Sequence, residues 1–349
     1  MSERRGTSSA VTSFVVASRY LPVYLALLVL VVVAAIWAPQ TLGSVVLNAI
    51  APYGALLAIT ALGQMLVIMT GGIDLSVPGT FTLAAMIMVG VTDGSDDRIG
   101  VALLTAIGVA ALIGLVNGIL IGGLKLNALI VTLAVGQVVI GLVNRYGRTF
   151  PVQSQVPPGL SEWTSNKILG VSPVFWAGVA LTFVLIVAFR YTAAGRRFQV
   201  VGANPVASRV VGVRVNLNQI AAYVVAAVFY ALAGVALAGL LRSPGPTIGM
   251  AYLLGPIAAV VIGGASLSGG LASPLSTFAA AFFLTGLNQM MRSMGLPTSA
   301  QFVVFGLVII GGMLISGDRI IKGVEQVLRD RSKPGPRGRG ALVAEGGDP

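Results

Sequence analysis

No cysteine and no histidine occur among the 349 residues. The first absence removes disulfides and thiolate metal sites, and the second removes imidazole ligands and every acid–base scheme built on histidine. No metal or other cofactor is expected. Charge is also scarce: 9% of the residues are charged, whereas 56% are hydrophobic and 45 are glycine. Soluble domains carry about 25% charged residues. A balance so far from that value points to lipid as the solvent.

What is present is a succession of apolar runs of about 17 to 25 residues, the length a helix needs to cross hydrocarbon. Ten spans are expected, at 20–38, 47–70, 75–92, 100–124, 127–144, 173–190, 217–241, 253–267, 270–291 and 300–317. The expected fold is all-α and polytopic. Residues 1–19 form a polar tail with Arg4, Arg5 and Arg19, and the apolar stretch behind it is too long for a signal peptide and lacks a small-residue cleavage site. It is read as a retained helix.

The net charge is +11, but the basic residues lie between apolar segments and in the tails, so topology rather than nucleic acid accounts for them. With both termini cytoplasmic, the inner segments collect Arg4, Arg5, Arg19, Lys125, Arg190, Arg196, Arg197, Arg209, Arg214, Arg319, Lys322, Arg329, Arg331, Lys333, Arg337 and Arg339, 16 of the 22 basic residues. That bias selects this orientation. The chain then divides into a cytoplasmic tail (1–19), a membrane domain (20–318) with a long inner loop at 191–216, and a second cytoplasmic tail (319–349). The end of that tail, 333–349, is rich in Gly, Pro and charge and is expected to be disordered.

The first constellation is Thr70-Gly71-Gly72-Ile73-Asp74-Leu75-Ser76-Val77-Pro78-Gly79, between two apolar runs. Paired glycines and a proline break a helix and free backbone groups that hydrocarbon cannot satisfy, so the break must face protein or water. A carboxylate such as Asp74 at membrane depth is a functional candidate. The bland alternative, and the one favoured by the residues that follow, is that it caps the next helix by accepting amide hydrogen bonds. The string G-G-x-x-L-S recurs at 263–268, which chance in a Gly-rich, Leu-rich chain also explains.

The second constellation is the inner loop. Asn204-Pro205 reads as N-cap and first position of a short helix that Gly212 can end. With Val206, Val210 and Val211 on one side and Arg209 on another, such a helix suits either a partner's groove or the lipid headgroups.

Three strings together carry a resemblance. G-G-I-D-L-S-V at 71–77, G-R-R-x-x-x-x-G-x-N-x-x-A at 195–207 and I-A-A-V-V-I-G-G-A-S-L-S-G-G at 257–270 resemble the permeases of ribose-type ABC importers, within the branched-chain amino acid and sugar permease superfamily. Asn117-Gly118, Ile130-Val131-Thr132-Leu133 and Gly286-Leu287-Asn288 follow in the same order. The resemblance implies a type II-like bundle in a bacterial inner membrane that works by alternating access. Its implied partners are a second permease copy, a cytoplasmic ATPase and an extracytoplasmic sugar-binding protein. It implies that the loop bearing Gly195, Arg196, Arg197, Gly202, Asn204, Ala207, Arg209 and Gly212 couples to the ATPase. The chain has no phosphate loop of its own, so hydrolysis is expected on another polypeptide. The cargo implied is a monosaccharide or related polyol.

Departures from the pattern are Pro78, Ala128-Leu129, and Leu253 and Gly255, where such permeases often carry an acidic pair. Loss of that pair bears on specificity rather than fold. A neutral polyol needs weak hydrogen-bonding groups along its route, and Asp74, Asn117, Thr132, Gln137 and Asn288 are the pathway candidates. Interhelical hydrogen bonds are the alternative role for each, as for Gln64, Asn144, Gln289 and Gln301. The glycine pairs Gly71-Gly72, Gly263-Gly264 and Gly269-Gly270 are the candidate helix breaks, while Gly108, Gly114, Gly118 and Gly122 are expected to mark close helix packing. Rival readings are an amino-acid permease, which would want a fixed charge near the route, an ion-driven carrier, which would want several carboxylates in spans, and a membrane transferase, which would want clustered acids or metal loops.

Overall fold

Where no water reaches the backbone, a chain satisfies its N–H and C=O groups by becoming helical. The structure, a computed structural model, describes residues 3–148 and 155–316. Its helices are α1 (Glu3–Trp37), α2 (Ser44–Met69), α3 (Val77–Thr92), α4 (Ile99–Gly118), α5 (Ala128–Gly147), α6 (Pro158–Ser165), α7 (Pro173–Tyr191), α8 (Ala193–Ala203), α9 (Pro205–Val210), α10 (Val215–Leu241), α11 (Gly255–Ile262), α12 (Pro274–Ser293) and α13 (Thr298–Ser316). Among the described residues there is no strand beyond an isolated bridge between Ile168 and Val171. The all-α expectation holds.

Helices α2 and α10 occupy the centre. Helix α10 packs along α2, α3 and α4, and α2 packs along α7, α11 and α12. Small residues permit this closeness: Ala222, Ala226, Ala227, Ala231, Ala233, Gly234 and Ala238 of α10 are all buried. The facing row on α4 recurs every four residues, through Ala102, Ala106, Ala110, Gly114 and Gly118, and reaches Gly122 in the π turn that ends the helix. A methyl group on Gly118 would sit 2.7 Å from the Ile220 Cα, and one on Gly114 would meet the Tyr223 carbonyl and lie 2.8 Å from the Val224 Cα. Gly108 corrects the expectation that all four glycines mark packing, since an added methyl there would meet open space. The four-residue period places it off the contact row.

Peripheral helices turn apolar side chains outward: Leu28 is 59% exposed, Leu104 72%, Ile130 70% and Phe183 65%. In water such faces would be costly, whereas in lipid they are required. The protein is a multi-pass membrane protein.

Not all of the ten expected spans are unbroken helices of full length. Among the described residues, six helices are long and apolar enough to cross a membrane: Tyr20–Trp37, Ser44–Met69, Asp96–Gly123, Ala128–Gly147, Pro173–Tyr191 and Val215–Leu241. The expected span at 75–92 begins only at Val77 because the glycine break consumes its first residues, leaving 16. The expected span at 253–267 is cut to the eight residues of α11 by a second break. Helix α12 has 20 residues but also Ser, Thr, Asn, Gln and Arg, which lower its hydropathy. In α13 the apolar run is Ser299–Gly312. At the N-terminus the polar tail is continuous with the first helix, which starts at Glu3. The C-terminal tail expected at 319–349 lies outside the described residues.

Replacing Gly118 with Leu is expected to destabilise the fold by about 1 to 3 kcal/mol, because the α10 backbone cannot withdraw. Gly108→Ala is expected to be neutral or stabilising by up to about 1 kcal/mol through helix propensity. Thermal unfolding of the detergent-solubilised chain compares the two, and equal midpoints would contradict the packing row.

Candidate functional site

Helix α2 stops at Met69 in a glycine cap of the Schellman type: Gly71 takes φ +83°, its N–H donates to the Ile68 carbonyl at 2.9 Å, and the Gly72 N–H donates to the Val67 carbonyl at 3.2 Å. After the seven residues 70–76 α3 begins, with Pro78 in its first turn, where a missing N–H costs nothing. The turn between them is largely buried and held by side chains from neighbouring helices, although Asp74 Oδ2, Asn117 Oδ1 and the Tyr223 hydroxyl are buried without a hydrogen-bond partner among the described residues. Asp74 Oδ1 accepts from the Ser76 N–H at 2.8 Å and from its hydroxyl at 2.6 Å. Asn117 of α4 donates from Nδ2 to the Ser76 Oγ at 2.9 Å. The Leu75 N–H donates to Thr132 Oγ1 of α5 at 2.9 Å.

From α2, the Gln64 amide is satisfied with Nε2 donating to the Tyr230 hydroxyl at 2.9 Å and to the Asp74 carbonyl at 3.2 Å, while Oε1 accepts the Asp74 N–H at 3.1 Å. Tyr223 closes the other side, its hydroxyl standing where any side chain on Gly72 would project. These tyrosines lie about 12 Å and about 23 Å along α10 from Val215, in a helix about 40 Å long. Asp74 is fully buried and serves as an internal brace of the break. Asp74, Asn117 and Thr132 come together there as one network.

The second break has the same cap. Gly264 takes φ +85° and donates to the Val261 carbonyl at 2.9 Å, and the Ala265 N–H donates to the Val260 carbonyl at 3.1 Å. The equivalent positions are Gly71 and Gly264, one residue out of step with the G-G-x-x-L-S match. The shared string therefore marks two like helix ends without being aligned on them.

The two breaks touch. The Gly270 N–H donates to the Met69 carbonyl at 2.9 Å, and Gly269 and Gly270 adopt φ +95° and +87° to make this approach. Wedged against both is Gly202, near the end of α8. A methyl group there would collide with the Met69 carbonyl and the Gly270 amide, and would lie 2.9 Å from the Gly270 Cα. Three backbones meet here, and at Gly202 the approach leaves no room for a side chain.

The inner loop is two helices rather than the single one expected. Helix α8 starts with the Thr192 hydroxyl accepting the Gly195 N–H at 3.1 Å, and Gly195 lets it fold tightly onto the last turn of α7. Asn204 caps α9, its Oδ1 accepting the Val206 and Ala207 N–H groups at 3.0 Å each. Gly212, at φ +80°, ends it. The buried Ser208 hydroxyl ties α9 to α8, donating within 2.9 Å of the Val200 carbonyl and 2.7 Å of the Asn204 carbonyl. Everything else on α9 is exposed, including Val206, Arg209 and Val210, as is Val211 just after it, and on α8 so are Arg196 and Arg197. Lys125 joins this basic end through Nζ bonds to Asn216 Oδ1 at 2.6 Å and Gln219 Oε1 at 3.1 Å. Partial burial, and then the Arg209 charge, hold its amine below the usual lysine value.

Two pathway candidates lie elsewhere. Gln137 is on the exposed face of α5, and Asn288 lines a cavity at the opposite end of α2, α10 and α12 from the breaks. Gly255 lines that cavity as well. Sequence reasoning did not single out Ser76, Tyr223, Tyr230 or Ser208. Ser76 and Ser208 each follow a cap-forming residue at short range, a usable signal, whereas the tyrosines reach the break only through the crossing of α10 and α2.

A family profile described as branched-chain amino acid transport system / permease component matches residues 46–313. The chain is 31% identical over 327 residues to the autoinducer 2 import system permease protein of Enterobacter sp. (strain 638), covering 92% of this chain and 94% of that one. It is 31% identical over 265 residues to the ribose import permease protein of Escherichia coli (strain K12), covering 75% and 82%. It is 33% identical over 294 residues to the ribose import permease protein of Bacillus subtilis (strain 168), covering 84% and 91%. No solved structure gives a significant match. With the matched region running from the start of α2 into α13, the chain belongs to the branched-chain amino acid transport system / permease component family.

Proposed function

We propose that this chain is the membrane-spanning permease of an ABC importer for a monosaccharide or related polyol, and that a separate cytoplasmic ATPase drives it through α8 and α9. The observation that carries this reading is the wedge of Gly202 against both helix breaks. A force applied to the exposed α9 passes through the Ser208 bonds into α8, and from Gly202 into the turns at which α2, α3, α11 and α12 begin or end. Rigid helices hinged at glycine turns are suited to alternate between two openings.

The relatives named for ribose, fructose and galactose import favour sugar over amino acid as cargo. The site agrees with this preference, since Asp74 is braced by Ser76 and offers no paired charges for a zwitterion.

In this reading α1, α2, α3, α4, α5, α7, α10, α11, α12 and α13 each carry the chain across, with α3 and α11 completed by their break segments. Ten crossings leave both termini in the cytoplasm of a bacterial inner membrane and put Lys125, Arg196, Arg197, Arg209 and Arg214 on the ATPase side. The two tails, 1–19 and 319–349, flank a membrane domain at 20–318. A second permease copy covers part of the apolar periphery, lipid the rest, and a soluble sugar-binding protein docks outside.

Co-purification tests the assembly: an ATPase is expected to remain with the permease in mild detergent, and sugar accumulation by this chain alone under an ion gradient would overturn the reading. Asn204→Asp keeps the capping oxygen and adds a charge, so uptake is expected to fall while the thermal midpoint stays put. Gly202→Trp, which drives the two breaks apart, is expected to abolish uptake in protein that still inserts, and full uptake by both variants would remove the coupling role.

Asp74→Asn retains one acceptor for Ser76 and is expected to fold. Asp74→Leu leaves the buried Ser76 N–H and hydroxyl without their acceptor, at a cost of about 1 to 3 kcal/mol. A midpoint for the Leu variant equal to that of the Asn variant would show that the brace is not needed.

A further inference from the structure

Thr285, Asn288, Gln289 and Arg292 occupy one face of α12, at the i, i+3, i+4 and i+7 spacing that aligns side chains on a helix. This polar stripe is what lowers the hydropathy of a helix otherwise long enough to span. It looks into a cavity of about 510 Å³, within the range of small-molecule sites, with Tyr53 and Tyr252 across from it. Among the described residues, the Asn288, Gln289 and Arg292 side chains are half-buried or exposed and none of them engages in a hydrogen bond. Tyr252 is fixed in place by stacking on Phe81, with ring centroids 4.5 Å apart.

The chemistry of this lining is selective. Two amides both donate and accept, a guanidinium donates in pairs, and two aromatic rings offer flat apolar faces. A monosaccharide presents the complement, hydroxyls that donate and accept together with C–H faces that lie on rings. A zwitterion does not, because among the described residues no carboxylate lines the cavity to meet its ammonium group. The location adds a mechanical consequence. The cavity is walled by the first half of α2, the last turns of α10 and the second half of α12, whereas the two breaks and Gly202 hold the other ends of α2 and α12.

We propose that this cavity is an outward-facing monosaccharide site contained within one chain. Asn288 and Gln289 bond the hydroxyls, Tyr53 and Tyr252 carry the sugar face, and Arg292 stands at the rim. The proposal rests on the import reading above and adds to it a place for the cargo.

The absence of native cysteine makes the test direct. Ala49→Cys puts a single thiol on the cavity wall and leaves every polar lining group in place. In right-side-out vesicles of the native host, a membrane-impermeant maleimide is expected to label it. A pentose or hexose that the host imports through this chain is expected to slow the labelling several-fold, and Asn288→Ala with Gln289→Ala is expected to remove that protection. Asp97→Cys, on the exposed turn after α3, should label at a rate no sugar changes. Failure of the Ala49→Cys thiol to react from outside, or reaction at one rate with every transported sugar, would overturn the site. Sugar uptake by the host with and without this chain separates the two levels. Chain-dependent uptake without protection defeats the cavity alone, and loss of no sugar's uptake on deletion defeats the import reading itself.

Discussion

A peptide group in hydrocarbon must be hydrogen-bonded, and the bond from the Gly270 N–H to the Met69 carbonyl is where two interrupted helices meet that requirement in each other. Most of the bundle is arranged around it. An unbroken helix satisfies itself and can lie anywhere in the membrane. A broken one has to bring its loose ends to protein, which draws α2, α3, α11 and α12 to a common centre and recruits Asn117 of α4 and Thr132 of α5 to cover what remains.

Close approach of backbones sets the second constraint. At Gly202, Gly114 and Gly118 the partner is main chain rather than a yielding side chain, so the residue type follows from geometry. The alanine and glycine row of α4 packs its length against the core. A continuous row resists relative motion of α4 and α10. Helix α8 instead meets the two glycine turns over the short stretch of Gly202 and Ala203.

Much of this was legible in the residues. The helix break at 70–76, the Asn204 cap and the Gly212 stop are all local chemistry, decided within a few residues, and each is present, whereas Asp74 accepts the Ser76 N–H just ahead of α3 and does not cap the helix itself. The span count was less legible. Hydropathy read along the chain registers apolar content but not where a glycine cap ends a helix, so α3 and α11 looked longer than they are, and α12 looked uniformly apolar although one face carries Thr285, Asn288, Gln289 and Arg292. Gly108 was taken for a packing residue because a glycine's use depends on what faces it.

By itself the sequence determined the solvent, the helical class and the local caps around Gly71, Asn204 and Gly212, because these depend on composition and on neighbours within one or two turns. Only the tertiary structure decided that Gly202 stands against both breaks, that Tyr223 and Tyr230 enclose Asp74, and that Asn288 faces a cavity while Gln137 faces outward. Those relations join residues far apart in the chain, and they follow from how helices cross, which side-chain volume at the contact determines and no local pattern records.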